Sequence, residues 1–331
     1  MRGSLPDFRK RSKPDMKKVL IYILTTVLIM GLCTGCSTER KEEQLKLREQ
    51  GITYLENGQY EGALTIFANA LDLSLGEIGE VELDICYYKA EALHQLGKLE
   101  EAIDTYSAII EYNNSPKAYF LRGNLYYSMD KEAEALKDYE SATKYEKKDY
   151  ALYIGIYESL MSHEKTEEAM TYLNKSLEIK GTSAQDKMNK GWIKFLLGNK
   201  AEAVSLLEEA IAEKEPMAHY YLAEIYIASG EADAAQEALN AYISSGVGDS
   251  YKLYSLAEEQ LARGYLDLAI ICLEAALTEK VPNQQIIMKT LVMAYEKSGN
   301  FVAARATLES YIELYPDDEE ALREYTFLET R

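Results

Sequence analysis

Histidine is scarce in this chain, and the short motifs that mark catalytic or metal sites are missing. Only His94, His163 and His219 occur, without the His-x-x-x-His or histidine-plus-cysteine spacing that is typical of a metal site. There is no Gly-x-Ser-x-Gly motif, no phosphate-binding glycine loop and no dinucleotide fingerprint. Neighbouring acidic residues such as Glu100 and Glu101 point to different sides of a helix and make no acid–base pair. We therefore expect no enzyme, metal or cofactor.

Basic side chains are few relative to acidic ones. The chain has 36 lysines and arginines against 55 aspartates and glutamates, a formal net charge of −19 at pH 7. Seven of the basic residues lie in the first 35 positions, so residues 36–331 alone carry a formal charge of −24. A body this acidic repels phosphate backbones, so nucleic acid is excluded as an expected partner and basic partners are favoured.

Cysteine is also rare, and two of the four cysteines follow an apolar run near the N-terminus. Lys17 and Lys18 precede the mostly apolar residues 19–32, the pattern of a signal peptide. The run is shorter than the roughly 20 residues that a membrane-spanning helix needs. Translation from Met16 would retain every feature of such a signal.

The sequence LCTGCS after this run resembles the lipobox of bacterial lipoproteins. The resemblance implies that residues 1–35 are a signal peptide and that Cys36 becomes a lipid-bearing, palmitoylated N-terminus on the extracytoplasmic side of the cell membrane. Cys33 stands where the family usually has leucine. A redox or metal-binding Cys-x-x-Cys is one alternative, although it would need folded surroundings or further ligands. An uncleaved anchor is the other.

From Gln44 onward the sequence repeats with a period near 34 residues. One alanine recurs in each copy: Ala63, Ala102, Ala135, Ala169, Ala203, Ala235, Ala269 and Ala304. A mostly small residue stands twelve positions earlier: Gly51, Ala90, Gly123, Tyr157, Gly191, Ala223, Ala257 and Val292. A large apolar residue follows four positions later: Phe67, Tyr106, Tyr139, Leu173, Leu207, Leu239, Leu273 and Leu308. A turn is predicted between the two blocks: Gly58, Gly97, Asp130, Glu164, Gly198, Gly230, Gly264 and Gly299.

This pattern predicts two helices joined by a tight turn in each copy. The small residues let the two backbones approach, and the large residue is expected to fill the gap to the next copy. One such hairpin cannot bury both of its faces, so the copies must stack. The period and the alanine pattern resemble the tetratricopeptide repeat. That resemblance implies an all-α, right-handed α-solenoid of about eight repeats over residues 44–317, with residues 36–43 as a linker and 318–331 as a capping helix.

Three positions of each first helix share one face, counted from its small residue: three before, one after and four after. In tetratricopeptide arrays this face lines the concave groove. The predicted groove residues are Tyr87, Glu91, His94, Phe120, Asn124, Tyr127, Ile154, Glu158, Met161, Met188, Trp192, Phe195, Tyr220, Glu224, Ile227, Tyr254, Glu258 and Leu261. In the other interpretation, some of these side chains pack within or between copies.

Aromatic residues beside a line of glutamates suit a protein or peptide segment that carries lysine or arginine next to apolar anchors. The favoured hypothesis is a lipid-anchored interaction scaffold outside the cytoplasm, as part of an envelope assembly. The alternative is a lipoprotein that binds small molecules or glycans in the same groove, because stacked aromatic rings also suit sugars. The remaining cysteines, Cys86 and Cys272, lie in distant copies, so no disulfide is expected.

Overall fold

A computed structural model describes residues 38–246, 250–277 and 283–330, and within these ranges every regular element is an α-helix. The chain divides into two compact units, and the boundary between them falls after Thr166. The signal peptide and the predicted lipid site at Cys36 lie outside the described residues. None of the described helices is both long and apolar enough to cross a membrane.

Within the described residues, the first unit contains seven helices. They are α1 (38–56), α2 (Tyr60–Asp72), α3 (Glu80–Gln95), α4 (Leu99–Asn113), α5 (Pro116–Ser128), α6 (Glu132–Tyr145) and α7 (Tyr150–Ser162). Each helix packs on the next in chain order from α2 to α7. Two local features separate these helices: Ser115 caps α5 ahead of Pro116, and residues 73–79 form the loop between α2 and α3.

The described part of the second unit contains ten helices. They are α8 (Thr166–Ser176), α9 (Ala184–Leu196), α10 (Lys200–Ala212), α11 (Met217–Ala228), α12 (Ala232–Ser244), α13 (Ser250–Arg263), α14 (Leu266–Ala276), α15 (Gln284–Ser298), α16 (Phe301–Leu314) and α17 (Glu319–Leu328). The last helix packs on α16 and buries Ala321 and Leu328. It covers the apolar end of the stack, as expected of a closing helix.

The predicted turns all adopt the left-handed backbone that ends a helix. The φ angles of the six glycines range from 70° at Gly58 to 84° at Gly264. Asp130 and Glu164 replace glycine at two turns and still have φ of 58° and 61°. The position in the repeat therefore determines the left-handed conformation at these turns, even at Asp130 and Glu164, where the Cβ atom disfavours it.

The recurring alanines and large residues form the core of both units. All eight alanines have no exposed surface, and the large residues four positions later are all buried. The large residue contacts the next copy, since the Phe67 ring lies 6.1 Å from that of Tyr88 and the Tyr139 hydroxyl lies 2.7 Å from that of Ser159, but it also packs within its own hairpin. A Cβ atom added at Gly51 would lie 2.3 Å from the Phe67 ring, and one at Gly123 would lie 2.6 Å from the Tyr139 ring. The large side chain therefore lies directly against the small residue of its own hairpin, which explains why glycine stands there.

The first helix begins earlier than the sequence suggests. Residues 36–43 are predicted as a linker, but the chain is helical from residue 38. Residues 39–43 are all glutamate, arginine or lysine, which favour helix, and glycine and proline are absent from 36–43. Gln44 then fixes α1 to its neighbours by donating hydrogen bonds to the Ala70 carbonyl oxygen at 3.1 Å and to Glu82 at 2.8 Å.

Candidate functional site

In the first unit, the predicted groove aromatics pack between neighbouring helices. Tyr87 of α3 is half-buried, with its hydroxyl oxygen 2.6 Å from the Ser115 hydroxyl and its ring centroid 6.1 Å from that of Tyr106. The Lys117 ammonium lies 4.5 Å from the same ring centroid. Burial raises the pKa of Tyr87. Part of the Tyr87 ring that was predicted to contact a partner is therefore covered by side chains of this chain.

Phe120, Asn124 and Tyr127 of α5 gather around Tyr139 of α6. The Phe120 and Tyr127 rings lie 6.0 Å and 5.8 Å from the Tyr139 ring, and the Tyr139 hydroxyl donates to Asn124 Oδ1 at 2.6 Å. Tyr127 is only 5% exposed. The prediction that Tyr127 lines the groove surface is therefore wrong, because its ring lies in the inter-helix space beneath that surface.

The other predicted residues of the first unit are more accessible. Glu158 and Met161 of α7 are exposed, and Ile154 is half-buried. Glu91 of α3 is half-buried and accepts a hydrogen bond from Gln95 Nε2 at 2.6 Å. His94 follows at the exposed end of the same helix. These residues leave an acidic first-helix face in this unit.

In the second unit, aromatic side chains of α9 and α11 form a continuous row. The Trp192 ring centroid lies 5.5 Å from that of Phe195 and 5.0 Å from that of Tyr221. Tyr221 in turn lies 5.3 Å from Tyr220. All four residues are half-buried, while Met188 of the predicted set is buried. We call Phe195, Trp192, Tyr221 and Tyr220 the aromatic row.

Glu224 does not belong to the accessible surface, which corrects the prediction of an acidic line through it. Its side chain is 4% exposed by residue, accepts a hydrogen bond from Gln260 Nε2 at 2.8 Å, and pairs with the Arg263 guanidinium. Burial raises the pKa of Glu224, and the Arg263 charge opposes that rise. Gln260 and Arg263 both belong to α13, so the next first helix covers this carboxylate. Ile227 is buried on the same helix.

Carboxylates remain at the edge of the aromatic row on α13. Glu258 is exposed and accepts a hydrogen bond from the half-buried Tyr254 hydroxyl at 2.9 Å. Glu259 accepts from the Tyr220 hydroxyl at 3.4 Å and pairs with Arg263 at 2.6 Å. Leu261 is half-buried. Acidic groups therefore lie next to aromatic surface in this unit, although Glu259 takes the place that the sequence assigns to Glu224.

A pocket of about 210 Å³ lies beside the row and is lined in part by residues outside the predicted groove set. Tyr242 of the second helix α12 and Tyr251 of α13 line it together with Tyr220. Tyr251 is 70% exposed. The predicted groove set contains three positions of each first helix. It therefore leaves out Tyr242, which belongs to a second helix, and Tyr251, which lies near the start of α13. The adjacent aromatic pair Tyr220–Tyr221 was the only local sequence signal for a wider aromatic surface.

The two described cysteines are free thiols, and their surroundings suppress their reactivity. Cys272 is buried, and burial raises the pKa of its thiol to about 12. Burial also raises the pKa of Cys86. Both thiols are therefore protonated at neutral pH, unlike a nucleophile or a metal ligand. Over residues 38–246, 250–277 and 283–330, no cluster of three histidine, cysteine or acidic residues suits a metal ion.

Four family profiles match the chain, and each is described as a tetratricopeptide repeat. They cover residues 48–118, 116–149, 195–257 and 287–328. Together they span more than half of the sequence, in both units.

The chain is also similar to individual proteins. The DnaJ homolog subfamily C member 7 homolog of Dictyostelium discoideum is 26% identical over 172 residues, which are 51% of this chain and 31% of that protein. The chain thus spans about a third of that relative. A tetratricopeptide repeat protein from Parabacteroides merdae is 15% identical, with a TM-score of 0.42 over 76% of this chain and 99% of that one. YrrB, described as a TPR protein with an unusual peptide-binding site, is 20% identical, with a TM-score of 0.30 over 54% and 91%.

Proposed function

Because the chain belongs to the tetratricopeptide repeat family, we propose that it is an interaction module whose first-helix surfaces bind a protein or peptide segment. Arrays of helical hairpins present extended surfaces of this kind. The proposal assigns the main binding surface to the aromatic row and the neighbouring face of α13. It places the module outside the cytoplasm, attached to the bacterial cell membrane by a lipid, as part of an envelope assembly.

The aromatic row carries this proposal. Phe195, Trp192, Tyr221 and Tyr220 contact one another across two first helices, yet all four keep part of their surface exposed. Contiguous exposed aromatic surface is uncommon on a protein that has no partner, and tryptophan and tyrosine are the residues that most often dominate binding energy. A ring already held by its neighbours also loses little conformational entropy when a partner binds.

The charges beside the row indicate the chemistry of the partner. Glu259 of α13 accepts a hydrogen bond from Tyr220 of the row, and Glu258 is exposed on the same helix. In the other unit, Glu91 and Glu158 are carboxylates of the first helices. The described body is strongly acidic. A segment with lysine or arginine next to apolar anchors would gain affinity from the rings, while the carboxylates would speed encounter and reject acidic competitors.

Membrane attachment rests on the resemblance of LCTGCS to a lipobox. Helix α1 is described from residue 38, two positions after Cys36. A lipid on Cys36 would therefore hold the first helix within roughly 7 Å of the anchored residue, since an extended chain spans about 3.5 Å per residue. The first hairpin would then lie at the membrane surface.

The anchoring proposal is tested with Cys36→Ser and the matched variant Cys33→Ser. Cys36→Ser should abolish labelling by a palmitate analogue and leave uncleaved precursor or soluble protein after fractionation. Cys33→Ser should be labelled, cleaved and membrane-bound like the parent. A Cys36→Ser protein that is still labelled and cleaved normally would disprove the lipobox assignment.

Partner binding is tested by cross-linking in intact bacterial cells, followed by capture of the full-length protein. Trp192→Ala combined with Tyr254→Ala should nearly abolish recovery of the partner, because truncating a central aromatic anchor typically costs about 2 kcal/mol or more. Tyr145→Ala is the control, since Tyr145 is exposed on the second helix α6. Equal recovery with all variants would remove the first-helix surface from consideration. Stabilisation by glycans without any captured protein would favour the small-molecule alternative.

The charge contribution is tested separately. Glu158→Lys with Glu258→Lys should weaken capture and reduce its dependence on salt, since salt screens exposed charges. Glu224 is left unchanged because its charge is buried. Glu140→Lys with Glu208→Lys, at exposed positions of the second helices α6 and α10, is the matched double charge reversal and should have a much smaller effect. Equal weakening by both would show that net charge, rather than this surface, controls binding.

A further inference from the structure

A pocket of about 210 Å³ opens at the end of the second unit, between the first helix α15 and the closing helix α17. Val292 of α15, Leu308 of α16 and Ala321 of α17 line it, and all three are buried residues that form its apolar floor. Met293 lines one wall and is partly exposed. We call this cavity the terminal pocket.

Carboxylates surround the apolar floor. Glu296 extends from α15, and Glu320 and Glu324 extend from α17. The basic side chain among the lining residues is Lys289, whose ammonium lies 2.7 Å from an Asp318 carboxylate oxygen and 3.9 Å from Glu320. Among the described residues that line the pocket, Asp318 therefore pairs with the one basic side chain. The pocket thus combines apolar surface with an excess of negative charge.

The terminal pocket continues the first-helix surface that earlier copies present. Met293 and Glu296 stand one and four positions after Val292, the small-position residue of the last copy. These are the positions that carry Trp192 and Phe195 on α9. The closing helix α17 supplies the opposite wall, as a further first helix would. A segment that follows the first-helix surface of this unit can therefore reach the pocket.

We propose that the terminal pocket binds one lysine or arginine side chain of a partner segment, a subsite that rests on the proposed function. The aliphatic stem of such a side chain would cover Val292 and Leu308, as long basic side chains do on apolar surface. Its cationic head would lie among Glu296, Glu320 and Glu324, where charge-assisted hydrogen bonds form with carboxylates. An uncharged side chain of equal length gains no attraction from these carboxylates, so it should not bind detectably at millimolar concentration.

The subsite can be tested with small probes and without the partner. The full chain is labelled with ¹³C in its methionine methyl groups, and the Met293 signal is assigned by its loss in Met293→Leu. Acetyl-arginine methylamide and acetyl-lysine methylamide are titrated, with acetyl-norleucine methylamide as the uncharged control. A single side chain of this size should bind with a dissociation constant on the order of 1–10 mM. We expect saturable shifts of Met293 with a cationic probe and none with the norleucine probe.

Variants connect the shift to the carboxylates. Glu320→Gln with Glu324→Gln should weaken the cationic probes about tenfold, since two of three acceptors lose their charge. Glu309→Gln with Glu313→Gln, at exposed positions of α16, should leave the titration unchanged. Glu324→Gln alone provides a milder variant if the pair disturbs the methionine spectrum without probe.

The outcomes separate the subsite from the wider function. A saturable cation-specific shift that weakens in the α17 variants supports the proposal. Equal shifts with all three probes, no shift of Met293, or equal effects of the α16 and α17 variants overturn it. The proposed function is tested by whether partner capture depends on Trp192. Failure of the probe titration would leave that capture result unchanged, and failure of capture would leave the probe titration unchanged.

Discussion

Replacing two helical glycines with alanine should change stability in opposite directions, although the new methyl group meets a ring at the same distance in both. A Cβ atom added at Gly123 would lie 2.6 Å and 2.9 Å from two carbons of the Tyr139 ring. One added at Gly62 would lie 2.6 Å and 2.9 Å from two carbons of the Tyr54 ring. Alanine is favoured over glycine within a helix by about 1 kcal/mol, so both substitutions begin with the same gain.

The difference lies in whether the ring can move. Tyr139 has no exposed surface, and its hydroxyl lies 2.6 Å from Asn124 Oδ1 and 2.7 Å from the Ser159 hydroxyl. Moving this ring would disturb both hydrogen bonds and overpack the hairpin, at a cost of about 1–3 kcal/mol for the packing and about 1 kcal/mol for each bond lost. Gly123→Ala should therefore destabilise the protein by about 2–4 kcal/mol after the helix gain is subtracted.

Tyr54 is 40% exposed and can rotate into solvent. Gly62→Ala should therefore retain most of the helix gain and stabilise the protein by about 0.5–1 kcal/mol. Urea unfolding followed by circular dichroism gives the midpoints, and amide exchange in α2, α5 and α6 localises each effect, since arrays of repeats often depart from two-state unfolding. Shifts of the same sign and size in the two variants would refute the reasoning, because burial of the ring would then be irrelevant.

Three further predictions concern the core, the turns and the closing helix. Ala203→Leu should overpack α10 against its partner and cost about 1–3 kcal/mol in urea unfolding, while Glu208→Leu on the exposed side should cost far less, and equal costs would mean a misplaced repeat register. Asp130→Gly and Glu164→Gly should each raise the free energy of unfolding by about 1 kcal/mol, because glycine adopts φ near 60° without a Cβ penalty, and a loss in both would contradict that account. Hydrogen bonds from Lys289 and the Tyr311 hydroxyl hold the pKa of Asp318 far below its usual value, so its stabilising contribution is present above about pH 4 and is lost as the pH falls towards the folded-state pKa. Amide exchange in α17 between about pH 5 and 2 should show this loss, and Asp318→Asn should remove the pH dependence.

The candidate site was only partly predictable from sequence. Trp192, Phe195 and Tyr220 lie on partly exposed first-helix surface, and the structure adds Tyr221 between Trp192 and Tyr220. Glu224 occupies an equivalent position in the repeat but is covered by Gln260 and Arg263 of the following helix. The predicted groove set requires the same face of the first helix to be exposed in every copy. In the structure, side chains of neighbouring helices determine which residues of that face reach solvent.

The sequence by itself determined the hairpins. Residues that contact one another inside a hairpin are close in sequence, so the recurring small residue, alanine and large residue were enough to place the turns, including the left-handed backbone at Asp130 and Glu164. What the tertiary structure alone decided is how each hairpin meets the next: the burial of Tyr127 and Glu224, the exposure of Tyr251, and the terminal pocket between α15 and α17. Those features depend on contacts between helices that are some 35 residues apart, where the size of a side chain from the neighbouring copy, and not its place in the repeat, determines whether a surface is covered or left open.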